Sequence, residues 1–298
     1  MRQSGITHNS LYDVIWNLFG TERRITKRRY VSGGDINEAC VLVLDDGRRL
    51  FLKSNSIRAF DNFSAEAEGL AAMRETGTVQ VPELLGIGKD PEGFSFLLME
   101  YIEAERASGK YWEELGRNLA CMHKAPVTGK ASFGWKRDNY IGARRQINAG
   151  HDSWISFFRD CRLAPQFGDA DRYFDTTDRK RAEHLLSHLD RFLIEPERPS
   201  LVHGDLWSGN VIAGKGGKAW LIDPAVYYGH PEADLAMTEL FGGFAGAFYA
   251  AYQEENPLEA GYKDRRDLYN LYQLLNHLNM FGASYLSSVQ QILKRYAG

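Results

Sequence analysis

The run LVHGDLWSGNV (201–211), followed by LIDP (221–224), constrains this chain more than any other stretch. Asp205 and Asn210 lie five residues apart, and Asp223, thirteen residues after Asn210, closes a second short apolar strand. A carboxylate there is suited to taking a proton from a hydroxyl, and an amide and a second carboxylate supply hard oxygen ligands for a cation. The plain alternative is a pair of loops using the turn chemistry of Asp-Gly and Asn. HGD alone would not exceed that reading. HGDxxxxN with a following apolar strand and a second Asp does.

That spacing resembles the catalytic loop and metal-binding aspartate of eukaryotic-type kinases. The resemblance implies transfer of a γ-phosphoryl group from ATP, with Asp205 as base and Asn210 and Asp223 on Mg2+. The fold class it implies is α+β: a two-lobed protein-kinase-like fold with a small β-rich N-lobe (1–102) and a larger, mostly helical C-lobe (103–298).

The N-terminal half supplies the other parts such a kinase needs. Ser10 is placed to cap a helix, LYDVIWNLFG, that stops at Gly20. Three strands follow in RRITKRRYVS and NEACVLVLDDGRRLFLKS, with Asp46-Gly47 as the hairpin turn. Between the first two strands, Ser32-Gly33-Gly34-Asp35 is small and flexible enough for backbone N–H groups at Gly33 and Gly34 to meet phosphates, although a plain turn would read the same. Lys53 ends the strand RLFLK, where a kinase places its phosphate-binding lysine. On the next helix Glu66 and Glu68 both compete to pair with it. Glu66, three after Phe63 and four before Leu70, takes the inward side. Met99, Glu100, Tyr101 and Ile102 fall by position where the lobes join and backbone groups bind adenine.

From about 126 to 199 the chain is aromatic-rich and too long for a connector, which suggests a substrate-binding insert. Its FGWKRDNYIG loop offers Asp138, Asn139 and Tyr140 to a hydroxylated ligand, with loop packing as the rival reading. His203 stands where protein kinases carry the His of His-Arg-Asp, but Gly204 replaces the Arg that answers to a phosphorylated activation loop. Asp223 is followed by Pro224-Ala225, and no segment of activation-loop length intervenes before the next helix. A constitutively active arrangement follows, with His203 as a structural contact. Asp234, in the first turn of the helix opened by Pro231, either braces the catalytic loop or simply suits the helix dipole. His123 and His277 read as core histidines.

Composition excludes several classes. A net charge of −3 gives no general attraction to nucleic acid, and no apolar run is long enough to span a membrane. Cys40, Cys121 and Cys161 lack CxxC spacing, so a reducing, cytoplasmic setting is expected.

HGDLWSGN, DPAVYYGHPEADLAMTELFGGF, the FGW and DNYIG pair, and LYQLLNHLNMFG together resemble the fructosamine/ketosamine-3-kinase family, over essentially the whole chain. The family shares the aminoglycoside and choline kinase-like fold. The resemblance implies ATP phosphates on Lys53 with Glu66 pairing it, and Trp207 beside the sugar. It also implies phosphorylation of the C3 hydroxyl of a ketosamine, free or on a glycated protein lysine, after which the adduct sheds its sugar. A related kinase acting on an aminoglycoside or choline-like amine is the alternative. Residues 126–198 hold 13 Lys/Arg against 11 Asp/Glu, a balance that disfavours a polycationic drug. A non-catalytic nucleotide-binding module is a further alternative, opposed by the presence of Lys53, Asp205, Asn210 and Asp223 together.

Overall fold

The computed structural model describes residues 7–8, 10–31, 37–127 and 132–298. The phosphate-loop expectation at Gly33 and Gly34 lies outside the described residues. Two compact units emerge: 1–115 with 210–224, and 116–209 with 225–298. This division differs from a cut after Ile102. The segment 210–224 joins the first unit because its backbone bonds go there: Leu221 N–H donates to Gln80 O (2.9 Å) and Glu105 N–H to Ala213 O (2.7 Å).

The first unit is built on a sheet of strands β1 (Thr7–His8), β2 (Ile25–Tyr30), β3 (Glu38–Leu44), β4 (Arg49–Ser56), β5 (Leu84–Lys89) and β6 (Phe94–Glu100), ordered β1-β5-β6-β4-β3-β2. All its neighbours are antiparallel except the β1–β5 pair. Period-2 patterning aims Cys40, Leu42 and Leu44 of β3 at helix α1 (Leu11–Phe19), whose Leu11, Val14 and Ile15 are buried against them. Each such aliphatic side chain contributes about 1.5–3 kcal/mol on burial. The N-terminus of α1 is satisfied twice: Ser10 Oγ accepts from Asp13 N–H (3.0 Å), and the buried Asp90 carboxylate accepts from Leu11 N–H (2.8 Å). Helix α2 (Phe60–Glu75) buries Phe63, Leu70 and Met73, and that spacing carries Glu66 on the same face.

Helix α3 (Tyr111–Lys124) begins in the first unit and ends in the second. The second unit has a core of helices: α4 (Trp154–Phe157), α5 (Ala164–Ala170), α6 (Thr176–Ser187), α7 (Glu232–Leu240), α8 (Gly246–Glu255), α9 (Tyr262–Phe281) and α10 (Leu286–Ala297). A π-helical turn, Phe158–Leu163, links α4 to α5. Pro165 has no N–H to offer the carbonyl of Cys161, and the fully buried Arg162 replaces it, its Nη1 donating to Cys161 O at 2.9 Å. Among the described residues no helix is long and apolar enough to cross a membrane.

At the start of α7 the buried Glu232 carboxylate takes two hydrogen bonds from Arg265 (2.8 and 2.6 Å). His230, beside this pair, accepts from Glu232 N–H through Nδ1 (3.1 Å). Burial, then the charges of Arg265 and His123, push its pKa down to about 3. The imidazole is therefore neutral in the folded chain while the unfolded chain takes up a proton below pH ~6.5. Stability is expected to fall as pH drops below about 6.5, by up to ~1.4 kcal/mol per unit from this group. Urea midpoints of wild type and His230→Asn between pH 7.5 and 5.5 check this. The variant should show the shallower slope, and parallel slopes would remove His230 as the source.

Candidate active site

In the first unit, strand β4 and helix α2 bring Lys53 and Glu66 together. Lys53 Nζ donates to Glu66 Oε1 at 2.7 Å and also to the Asp223 carboxylate. Glu66, not Glu68, is thus the helix carboxylate that meets Lys53. Burial opposes the charge on Lys53, but the Asp223 and Glu66 carboxylates outweigh it and raise its pKa, so the ammonium is fixed. Burial raises the pKa of Glu66, an effect only partly offset by Lys53. Two carboxylates thus converge on one lysine.

A two-stranded hairpin, Val211–Ala213 with Ala219–Leu221, sets the spacing of Asn210 and Asp223. Val211 pairs with Leu221, and Ile222 N–H donates to Asn210 O (3.0 Å), so Asn210 and Asp223 emerge at the same end of the ribbon. Asp223 has φ 55°, the one non-glycine with positive φ among the described residues. Such a backbone costs about 1–3 kcal/mol and persists only where its surroundings impose it. One amide oxygen and one carboxylate match the incomplete oxygen set by which Mg2+ is usually held, the remaining positions falling to phosphates and water. Among the described residues no cluster of three or more His, Cys, Asp or Glu offers a self-sufficient metal cage.

In the second unit the loop bearing Asp205 is pinned from its backbone. Asp234 Oδ2 accepts from His203 N–H (2.7 Å) and Oδ1 from Gly204 N–H (2.9 Å). Gly204 O accepts from Gln273 Nε2 of α9 (3.0 Å), and Asp205 N–H donates to His203 Nδ1 (3.3 Å). Asp234 is 1 % exposed. Burial alone would raise its pKa, but the hydrogen bond and charge of His123, with help from His203, hold it low. Behind it runs a consistent chain: Asn256 Nδ2 to Tyr252 Oη (2.9 Å), Tyr252 Oη to His123 Nδ1 (2.8 Å), His123 Nε2 to Asp234 (3.1 Å). A proton on His123 Nε2 faces the Asp234 carboxylate, and Tyr252 Oη accepts from Asn256 Nδ2. Gly204 is required twice over, since its φ is +82° and a Cβ there would lie 2.2 Å from Ala225 O.

These features gain their meaning from comparison. The family model described as Fructosamine kinase matches residues 8–297. The chain belongs to the fructosamine kinase family. Among its relatives, a protein of Synechocystis sp. described as a ketoamine kinase is 44 % identical over 93 % of this chain and 92 % of its own length. The protein-ribulosamine 3-kinase, chloroplastic, of Arabidopsis thaliana is 42 % identical over 93 % of this chain and 84 % of its own. A crystal structure from Haemophilus somnus described as a fructosamine-3-kinase superposes with a TM-score of 0.85 at 30 % identity, covering 97 % of both chains. This fructosamine kinase family member is therefore a phosphotransferase with the α+β, protein-kinase-like fold.

The remaining sequence-derived residues are placed as follows. Met99 is buried in β6, where it pairs with Phe51 and Leu84, and Glu100 N–H donates to Glu83 O (2.8 Å). Tyr101 and Ile102 leave the sheet, Arg49 covering the Tyr101 ring at 4.8 Å. Trp207 is 37 % exposed, while Tyr140 is half-buried. Asn139, 3 % exposed, gives its amide to Val226 O (2.7 Å), and its oxygen accepts from Gln146 and Asn148 (2.8 Å each). Asp138 accepts from Arg145 and from Asn148 N–H (2.9 Å each). Asn139 and Asp138 are thus engaged within the fold, because a three-residue strand alternates its side chains and turns Asn139 inward. His123, expected as a core histidine, is indeed buried, while Tyr252, Gln273 and Gln146, whose Nε2 reaches Ala225 O at 3.0 Å, are supporting residues that the sequence did not reveal. Their partners lie 69 to 129 residues away in the chain, so no local spacing announces them.

Proposed function

We propose that this protein transfers the γ-phosphoryl group of ATP to the C3 hydroxyl of a ketosamine, with Mg2+ as cofactor. The observation that supports it most is Asp205, a carboxylate on a loop locked by Asp234, in a family whose relatives are described as ketoamine and ribulosamine kinases. In this reading Lys53, oriented by Glu66, holds nucleotide phosphates, and Asn210 and Asp223 hold the metal, which neutralises phosphate charge. Asp205 orients the hydroxyl and accepts its proton as the sugar oxygen bonds to phosphorus and the bond to the ADP oxygen breaks. Met99 to Ile102 offer backbone groups to adenine, and Trp207 lies along the sugar carbons. The Amadori adduct so phosphorylated is unstable, sheds its sugar and returns the free amine, whether a small molecule or a protein lysine. Three free cysteines, Cys40, Cys121 and Cys161, suit work in a reducing cytoplasm.

The test is ATP consumption with ribulose-lysine, erythrulose-lysine, fructose-lysine, kanamycin and choline, each with Mg2+ and with excess chelator. Metal-dependent turnover of at least one ketosamine is expected, with phosphate on the third sugar carbon by NMR. Turnover of kanamycin or choline without any ketosamine would overturn the substrate class and leave the kinase roles standing.

A further inference from the structure

Five aromatic rings follow one another across the second unit, starting at the catalytic loop. Trp207 lies 6.4 Å from Phe241, Phe241 4.9 Å from His277, and His277 5.5 Å from Phe281 and 5.1 Å from Tyr285. The file begins two residues after Asp205 and ends at Phe281, which is 48 % exposed. The indole is seated by design of the loop: a Cβ on Gly209 would come within 2.3 Å of the Trp207 ring. Core packing explains the inner rings but not a phenyl group left half in water at the end of α9.

The stretch that carries His277, Phe281 and Tyr285 is free of acidic side chains from Leu268 onward. Residues 206–222, 241–253 and 268–298 contain no Asp or Glu. Burial lowers the pKa of His277, and its Nδ1 meets Gln273 O at 2.8 Å, so this ring is a neutral member of the file. Aromatic faces suit a single ammonium followed by an alkyl chain. They suit a polycation poorly.

We propose that this aromatic file is an amine-side subsite, which takes the aliphatic stem of a peptide-borne ketosamine lysine and an apolar residue beside it. The inference rests on the ketosamine reading above. With the sugar at Asp205 and Trp207, the C1 amine and its substituent extend from one side of the reacting C3 hydroxyl, opposite the polyol tail, and so reach beyond the sugar. The surface continuous with Trp207 is the aromatic one. A small ketosamine would leave Phe281 and Tyr285 uncovered, whereas a peptide laid along the file covers them.

The test compares three ribulose adducts: Nα-acetyl-lysine, a pentapeptide with Phe beside the modified lysine, and the same pentapeptide with Asp there. Wild type is expected to favour the Phe peptide over the Asp peptide about 10-fold in kcat/KM, or ~1.4 kcal/mol, carried by KM. In Phe281→Ser the preference should shrink to within about twofold with the melting temperature unchanged, and Tyr285→Ser should reduce it in the same direction. Absence of the preference in wild type, or its survival in both variants, overturns the subsite. If wild type phosphorylates the acetyl-lysine adduct without preferring the Phe peptide, only the subsite falls. If it phosphorylates none of the three, the ketosamine reading falls with it.

Discussion

Asp205→Asn is expected to lower kcat by about 10²- to 10⁴-fold, the usual scale for loss of a general base. The amide has nearly the shape of the carboxylate but cannot take the hydroxyl proton. The loop should keep its conformation, because its fixed points are backbone groups: His203 and Gly204 N–H on Asp234, and Gly204 O on Gln273. Affinity for ATP should change little, since Lys53, the residue proposed to hold the nucleotide phosphates, belongs to the first unit, with Glu66 and Asp223 as its partners. Steady-state kinetics with saturating ketosamine and an ATP titration separate these effects. Turnover near wild type would remove Asp205 from the mechanism, and a matching loss of ATP affinity would point to a disturbed nucleotide site instead.

Asp234→Ala is expected to cost roughly 3–5 kcal/mol of folding stability, as when one partner of a buried ion pair is removed. The carboxylate is 1 % exposed and serves three donors: two backbone N–H groups and His123 Nε2. Its removal strands all three without water to replace it. The same change should lower kcat, because the backbone on either side of Gly204 loses the contacts that aim Asp205. Urea unfolding at pH 7 with activity measured on the folded fraction checks both effects. A loss below about 1 kcal/mol would show that Asp234 braces little. His123→Ala should be less than additive with it, since the two share one network.

The secondary-structure elements and the spacing of the site residues are legible from short-range sequence signals. Alternation in EACVLVL, the Asp46-Gly47 turn and the Ser10 cap specify strands and a helix through interactions a few residues apart. HGDxxxxN and the second Asp are likewise local: a hairpin pairing Val211 with Leu221 carries Asn210 and Asp223 to one end. The same holds for the helical period that turns Glu66 inward. How the Asp205 loop is held depends on the tertiary fold. Asp234 was ambiguous in sequence because an acidic residue in a first turn serves the helix dipole whether or not it touches anything else. Only the fold delivers His203 and Gly204 N–H to it, and only the fold places Tyr252 and His123 behind it. Asn139 looked like a ligand in a polar loop. The strand Asn139–Ile141 instead turned it inward onto Val226 O, a buried carbonyl that needs a donor and lies 87 residues away in the chain.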